Sequence, residues 1–182
     1  MKHNIQFPNT TVLDRFETAA GRDIPNYQEH SILDFGDAQA QRAKFRKEFP
    51  DALPRTTEPT SIYNCHGFVF AAGRTGIDSS RDVRMILSDD GYVKMEPDRA
   101  LPGDVVLYVS PTGDVEHSAV LVQTADQTIT RFPYVVSKWG NFTEYVHAIS
   151  NCPYDATHIE YWRLGRRPIP QETEPDKCLI QC

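Results

Sequence analysis

Residues 64–73, NCHGFVFAAG, decide how the chain is read. A polar residue, Asn64, leads into a run of small and apolar side chains that stops at Gly73. Asparagine is a preferred helix N-cap because its side-chain oxygen accepts a free backbone N–H of the first turn. The stretch therefore predicts a buried helix beginning near Asn64, with Cys65 at its start. Free N–H groups and the positive end of the helix dipole favour a thiolate there, and the same groups can hold a developing oxyanion. A cysteine in an apolar helix is, by itself, a packing residue. A nucleophile needs a base brought from elsewhere in the chain.

Downstream the period changes. GDVVLYV (103–109) and VEHSAVLVQ (115–123) are β-branched runs joined by the turn-type linker SPTGD, the pattern of a hairpin. His117 opens the HSAVLVQ part of the second run just after the turn, where a side chain at a strand end can reach a helix start. TITRF (128–132), YVVSKW (134–139) and HIEYWRL (158–164) predict further strands. Upstream, Thr11 to Ala20 predicts an amphipathic helix closed by Gly21. Asp37 is placed to cap a helix through AQAQRAKFRKEF that Pro50 stops, and Ser79 or Ser80 to cap one over RDVRMIL. Residues 51–61 read as loop. Helices first and strands after predict an α+β domain with an antiparallel sheet. The expected division is a helical extension over 1–60, a core over 61–167 and a Pro- and acid-rich tail over 168–182.

The order of motifs NCHGFVFAAG, ALPGDVVLYV and HSAVLV resembles that of the NlpC-like cell-wall peptidases and CHAP amidases. SKWGNFTEYVHAISNCPY (137–154) also resembles a bacterial branch of that superfamily, and the likeness spans about Ile62 to Leu164. It implies a papain-like fold and hydrolysis of amide bonds, often in peptidoglycan stem peptides. It implies Cys65 as nucleophile and His117 as base. The family's third residue, which orients the imidazole, stands on the strand after the histidine strand. There the sequence departs from the family pattern: Ser137 and Lys138 are the candidates, with His147 further on. Alternation along VVSKW places Ser137 on the face of Val135 and Trp139.

Other readings are weaker. Cys65, His66, His117, His147 and Cys152 are metal-ligand types, but no paired spacing such as C-x-x-C or H-E-x-x-H occurs, and no metal or other cofactor is implied. GRTG and DDGY match neither phosphate-binding fingerprint. His66 neighbours Cys65 on the helix and does not face it. Cys152, before Pro153, reads as packing. Trp139, Tyr145, Tyr154, Tyr161 and Trp162 suit an aromatic core or a groove lining.

A net charge of −6 without a basic cluster argues against nucleic acid as partner. No stretch is long enough to span a bilayer, and the N-terminus lacks the apolar run of a secretory signal. Four cysteines are too sparse for a disulfide scaffold, Cys178 and Cys182 are close enough in sequence only for a local pairing, and the terminal CLIQC is not a prenylation signal. Synthesis in the cytoplasm is expected. With a peptide or peptidoglycan substrate, this points to a toxin exported by a dedicated apparatus, with an immunity or delivery protein as partner. An intracellular deamidase or acyltransferase would use the same Cys–His pair, and a non-catalytic binding module would use the same fold.

Overall fold

A computed structural model describes residues 10–12, 15–30, 35–56, 58–125, 132–154 and 158–165. Strand β1 (Thr10–Thr11) pairs with β2 (Gln28–Glu29), followed by helix α1 (Phe35–Glu48), β3 (Leu53–Pro54), α2 (Cys65–Phe70) and α3 (Ser80–Asp89). Then come β4 (Tyr92–Met95), β5 (Val105–Val109), β6 (Val115–Gln123), β7 (Tyr134–Lys138), β8 (Glu144–Ala148) and β9 (His158–Leu164). Seven strands form one antiparallel sheet in the order β3-β8-β7-β6-β5-β9-β4. The fold is therefore α+β.

Period-2 alternation along β5 divides the interior. Val105, Leu107 and Val109 pack with Ile77 and with Val83, Ile86 and Leu87 of α3. Val106 and Tyr108 face the other way, toward Ala119, Leu121, Val135 and Tyr161. Cover on that second side comes partly from α1, whose Phe45 sets its ring edge-on to Trp139 at 5.1 Å. Asp37 in the first turn of α1 and Arg46 and Lys47 in its last complement the helix dipole.

Of the two helices expected in the N-terminal segment, the second forms as α1 and the first does not. Thr11 pairs in β1, Glu17 bridges Asp23, and Gly21 takes a φ of 75° in the turn between them, so no helix runs to Ala20. Ten residues make a marginal helix in water, and Thr10, Thr11 and Val12 favour extended backbone. Phe16 and Ile24 are spent in the core instead. Leu53–Pro54, expected as loop, adds the edge strand against Tyr145 and Val146. The sheet thus draws on residues before 61. The 105–123 hairpin stands as expected. Most of TITRF and the 168–182 tail, with Cys178 and Cys182, lie outside the described residues.

Candidate active site

Cys65 is held at the start of α2 by what surrounds that short helix. Asn64 caps it: its Oδ1 accepts the N–H of Gly67 at 2.9 Å and of Ile77 at 3.2 Å. Its Nδ2 donates to the Ile77 carbonyl at 2.7 Å. One side chain therefore ties the helix start to the 77–78 segment, where Asp78 also accepts the Tyr27 hydroxyl at 2.9 Å. Gly67 is required by a close approach, because a Cβ there would meet the Thr75 carbonyl oxygen at 1.7 Å. With six residues, α2 has a small dipole; local N–H groups matter more. The backbone N–H groups of Cys65, His66 and Ser118 and the Ser118 hydroxyl all favour the thiolate, but burial outweighs them and pushes the thiol up to about 11.

The sheet opens beside this cysteine. Pairing of β6 with β7 ends at Val120–Val136, although β6 begins at Val115 and β7 continues to Lys138. On its other side β6 carries a bulge: the ladder steps from Tyr108–His117 to Val109–Val115, leaving Glu116 extra. Leu107 pairs with Ser118, so Ser118 faces α2, where its hydroxyl meets His66 Nδ1 at 2.9 Å. His117 takes the face of Tyr108.

His117 is fully buried, and neither ring nitrogen has a hydrogen-bond partner. The Tyr154 ring lies flat on it, centroids 3.8 Å apart at 10°. The Tyr154 hydroxyl in turn accepts the Gly140 N–H at 2.9 Å. Burial drives the imidazole well below its ordinary value, and the neighbouring His147 and His66 push the same way. No hydrogen bond joins Cys65 to His117.

The three candidates for an orienting residue part company. Ser137 shares the Trp139 face, as alternation predicts, but its hydroxyl is engaged elsewhere. The Ala148 carbonyl can only accept, so His147 Nδ1 carries the proton that reaches it at 2.9 Å. Bare Nε2 then accepts from Ser137 at 2.8 Å, and Ser137 Oγ accepts the Trp139 indole N–H at 3.0 Å. Ser137 and His147 therefore bond each other rather than His117. Lys138 points to the opposite face and gives its ammonium to three carbonyls, those of Thr60 (2.7 Å), Gly140 (2.7 Å) and Phe142 (2.9 Å).

Sequence reasoning missed Ser118 and Tyr154 as parts of the site. Ser118 adjoins His117 in sequence, and strand alternation turns it toward the cysteine helix; Tyr154 carried no signal beyond its aromatic ring. Cys152 donates to the Tyr154 carbonyl at 3.7 Å and packs with both aromatic clusters on this side. Among the described residues no group of three His, Cys, Asp or Glu side chains is placed to hold a metal ion. No helix among them is long and apolar enough to cross a membrane. Comparison with protein-family models, curated proteins and solved structures finds no match.

Proposed function

We propose that the chain is a cysteine-dependent amide hydrolase of papain-like fold, described here in a closed resting state. One observation carries the reading: Cys65 lies where the β6–β7 ladder stops, its sulfur served by three backbone N–H groups and the Ser118 hydroxyl. His117 is the next residue along that strand, with both nitrogens unspent. A buried imidazole without partners is costly unless something else uses it.

When the Tyr154 ring leaves His117, burial no longer opposes ionisation. The Cys65 proton passes to a ring nitrogen of His117, and the thiolate sulfur bonds to the amide carbonyl carbon. The oxyanion takes hydrogen bonds from the backbone N–H groups at Cys65. The imidazolium returns its proton to the nitrogen as the C–N bond breaks. Water then attacks the thioester, releasing the acid and restoring the thiol. A peptide amide is the substrate class, and the motif resemblance makes a peptidoglycan stem peptide the first to test. A toxin exported by a dedicated apparatus fits such a substrate.

Purified sacculi incubated with the protein should release cleaved muropeptides, and Cys65→Ala and His117→Ala should each abolish release. Release that persists in both variants refutes the mechanism. The absent Cys65–His117 hydrogen bond favours a second reading, a binding module on the same scaffold. Cys65 that alkylates no faster than free cysteine, with no His117 dependence, would establish that reading.

A further inference from the structure

Helix α1 and the edge strand β3 flank a cavity of about 420 Å³ that shares no residue with the Cys65 site. Its apolar wall includes Phe45, Leu53, Pro54 and Tyr145, and its two cations are Arg42 and Arg46. Residues four apart on a helix share a face, so both arginines rise from the same side of α1. Among the described residues no carboxylate lines the cavity. Neither arginine pairs with a carboxylate among those residues, whereas Arg22, Arg55, Arg84 and Arg163 each bind one.

Arg42 differs from an arginine in open water. Its Nη2 is closed off from solvent and has no hydrogen-bond partner. A guanidinium nitrogen denied both water and an acceptor is costly, and a nearby anion offsets that cost. Like charges one turn apart add to it. Arg46 and Lys47 complement the dipole in the last turn of α1, but Arg42 lies a turn earlier and has no such role. We propose that the α1–β3 cavity is a binding site for a small organic acid: a carboxylate held by Arg42 and Arg46, on an apolar body seated against Phe45 and Tyr145. This inference is independent of the hydrolase reading.

The chemistry of the walls sets the class. Carboxylate oxygens match the planar fork of a guanidinium, and two arginines on one wall can serve both oxygens. The volume falls within the range of small-ligand pockets. A compact inorganic anion would shed its water here and leave the rings of Phe45 and Tyr145 without a partner. Leu53, 65% exposed at the cavity, adds to the same apolar demand. An acidic peptide laid along the sheet edge is disfavoured by β3 itself: the strand has two residues, and Pro54 has no N–H to offer. A nucleic acid would need a far longer basic track.

The test is calorimetric titration of the full chain with phenylacetate, its neutral isostere phenylacetamide, and inorganic phosphate. Loss of a charge-assisted hydrogen bond weakens binding by about tenfold or more. Phenylacetate should therefore bind about tenfold or more tightly than phenylacetamide. Arg42→Gln and Arg46→Gln should each lower phenylacetate affinity by about tenfold and leave that for phenylacetamide unchanged. Trp139 stacks on Tyr145 at 4.1 Å, so its fluorescence should change over the same concentrations. Equal affinity for acid and amide in the parent overturns the proposal, and so does phenylacetate affinity that neither substitution lowers. Phosphate that competes with phenylacetate at equal concentration overturns the class, since the cavity would then read charge alone. An absence of saturable binding up to about 10 mM overturns the site itself. If Arg42→Gln does not fold, Arg46→Gln and the acid–amide comparison in the parent decide. Alkylating Cys65 should change none of these affinities, which keeps this result separate from the hydrolase reading.

Discussion

The native state should weaken steeply between pH 7 and pH 5, because three buried histidines are held neutral. His66, His117 and His147 are all buried, and burial is the main cause lowering each of them. His66 and His147 fall from an ordinary 6.5 to about 4. At pH 7 such imidazoles are mostly neutral whether the chain is folded or not. At pH 5 the unfolded chain protonates them and the folded chain does not. Stability rises with pH wherever the unfolded state binds more protons, so here it is lost as pH falls through the window from 6.5 toward 4.

Each of these two residues then costs the native state about 2 kcal/mol at pH 5 relative to pH 7, from the difference in proton binding at RT of about 0.6 kcal/mol. Together they remove about 4 kcal/mol, and His117 adds to the loss. A domain with a total of about 5–15 kcal/mol feels that strongly. Two ion-paired carboxylates lie outside the window. Glu160, beside Lys94 and Arg84, is held at about 2, and Asp104, against Arg163, is also held low, so both lose their contribution only in stronger acid. Urea titrations followed by the fluorescence of Trp139 and Trp162 read the effect. With a slope of about 2 kcal/mol per molar, the midpoint should drop by about 2 M from pH 7 to pH 5. Equal midpoints at the two pH values would refute the reasoning, since neutral buried histidines require the difference.

Three further outcomes follow from the site. Gly67→Ala drives a Cβ into the Thr75 carbonyl and should cost about 3 kcal/mol or more, seen as a fall of about 10 °C in Tm. Asn64→Ala removes the cap and orphans both backbone groups of Ile77; it should cost about 2 kcal/mol by denaturant unfolding and lower the Cys65 alkylation rate. Tyr154→Ala uncovers His117, and Cys65 alkylation at pH 7 should rise several-fold; an unchanged rate would show that this ring does not limit access.

The sequence carried the elements whose causes are local. Asn64 before a small apolar run, and turn residues between two β-branched runs, each act within a few residues, and α2 and the β5–β6 hairpin form where those signals stand. The Thr11–Ala20 pattern misled because apolar spacing reports which residues are buried, not the conformation that buries them. Phe16 reaches the core from extended backbone as well as it would from a helix. Strand β8 is hidden for a different reason: EYVHA carries Glu144 and His147 inward, and both are buried through specific bonds to Tyr63, Arg55 and Ser137 that no alternation rule reports.

The site itself depends on an interruption, which a period cannot encode. Alternation along β6 assigns His117 and Ser118 to opposite faces, and in an unbroken sheet that would separate a base on one side from a cysteine helix on the other. Between those two faces the sheet is interrupted: β6 and β7 stop pairing beyond Val120 and Val136, beside the bulge at Glu116. Backbone N–H groups that a continuous ladder would consume are left free there, and Ser118 turns its own toward the Cys65 sulfur. Lys138 bonds the Thr60 carbonyl ahead of α2, and the Tyr154 ring covers His117. A mutation that restored β6–β7 pairing should therefore stabilise the sheet and withdraw the Ser118 N–H from the Cys65 sulfur.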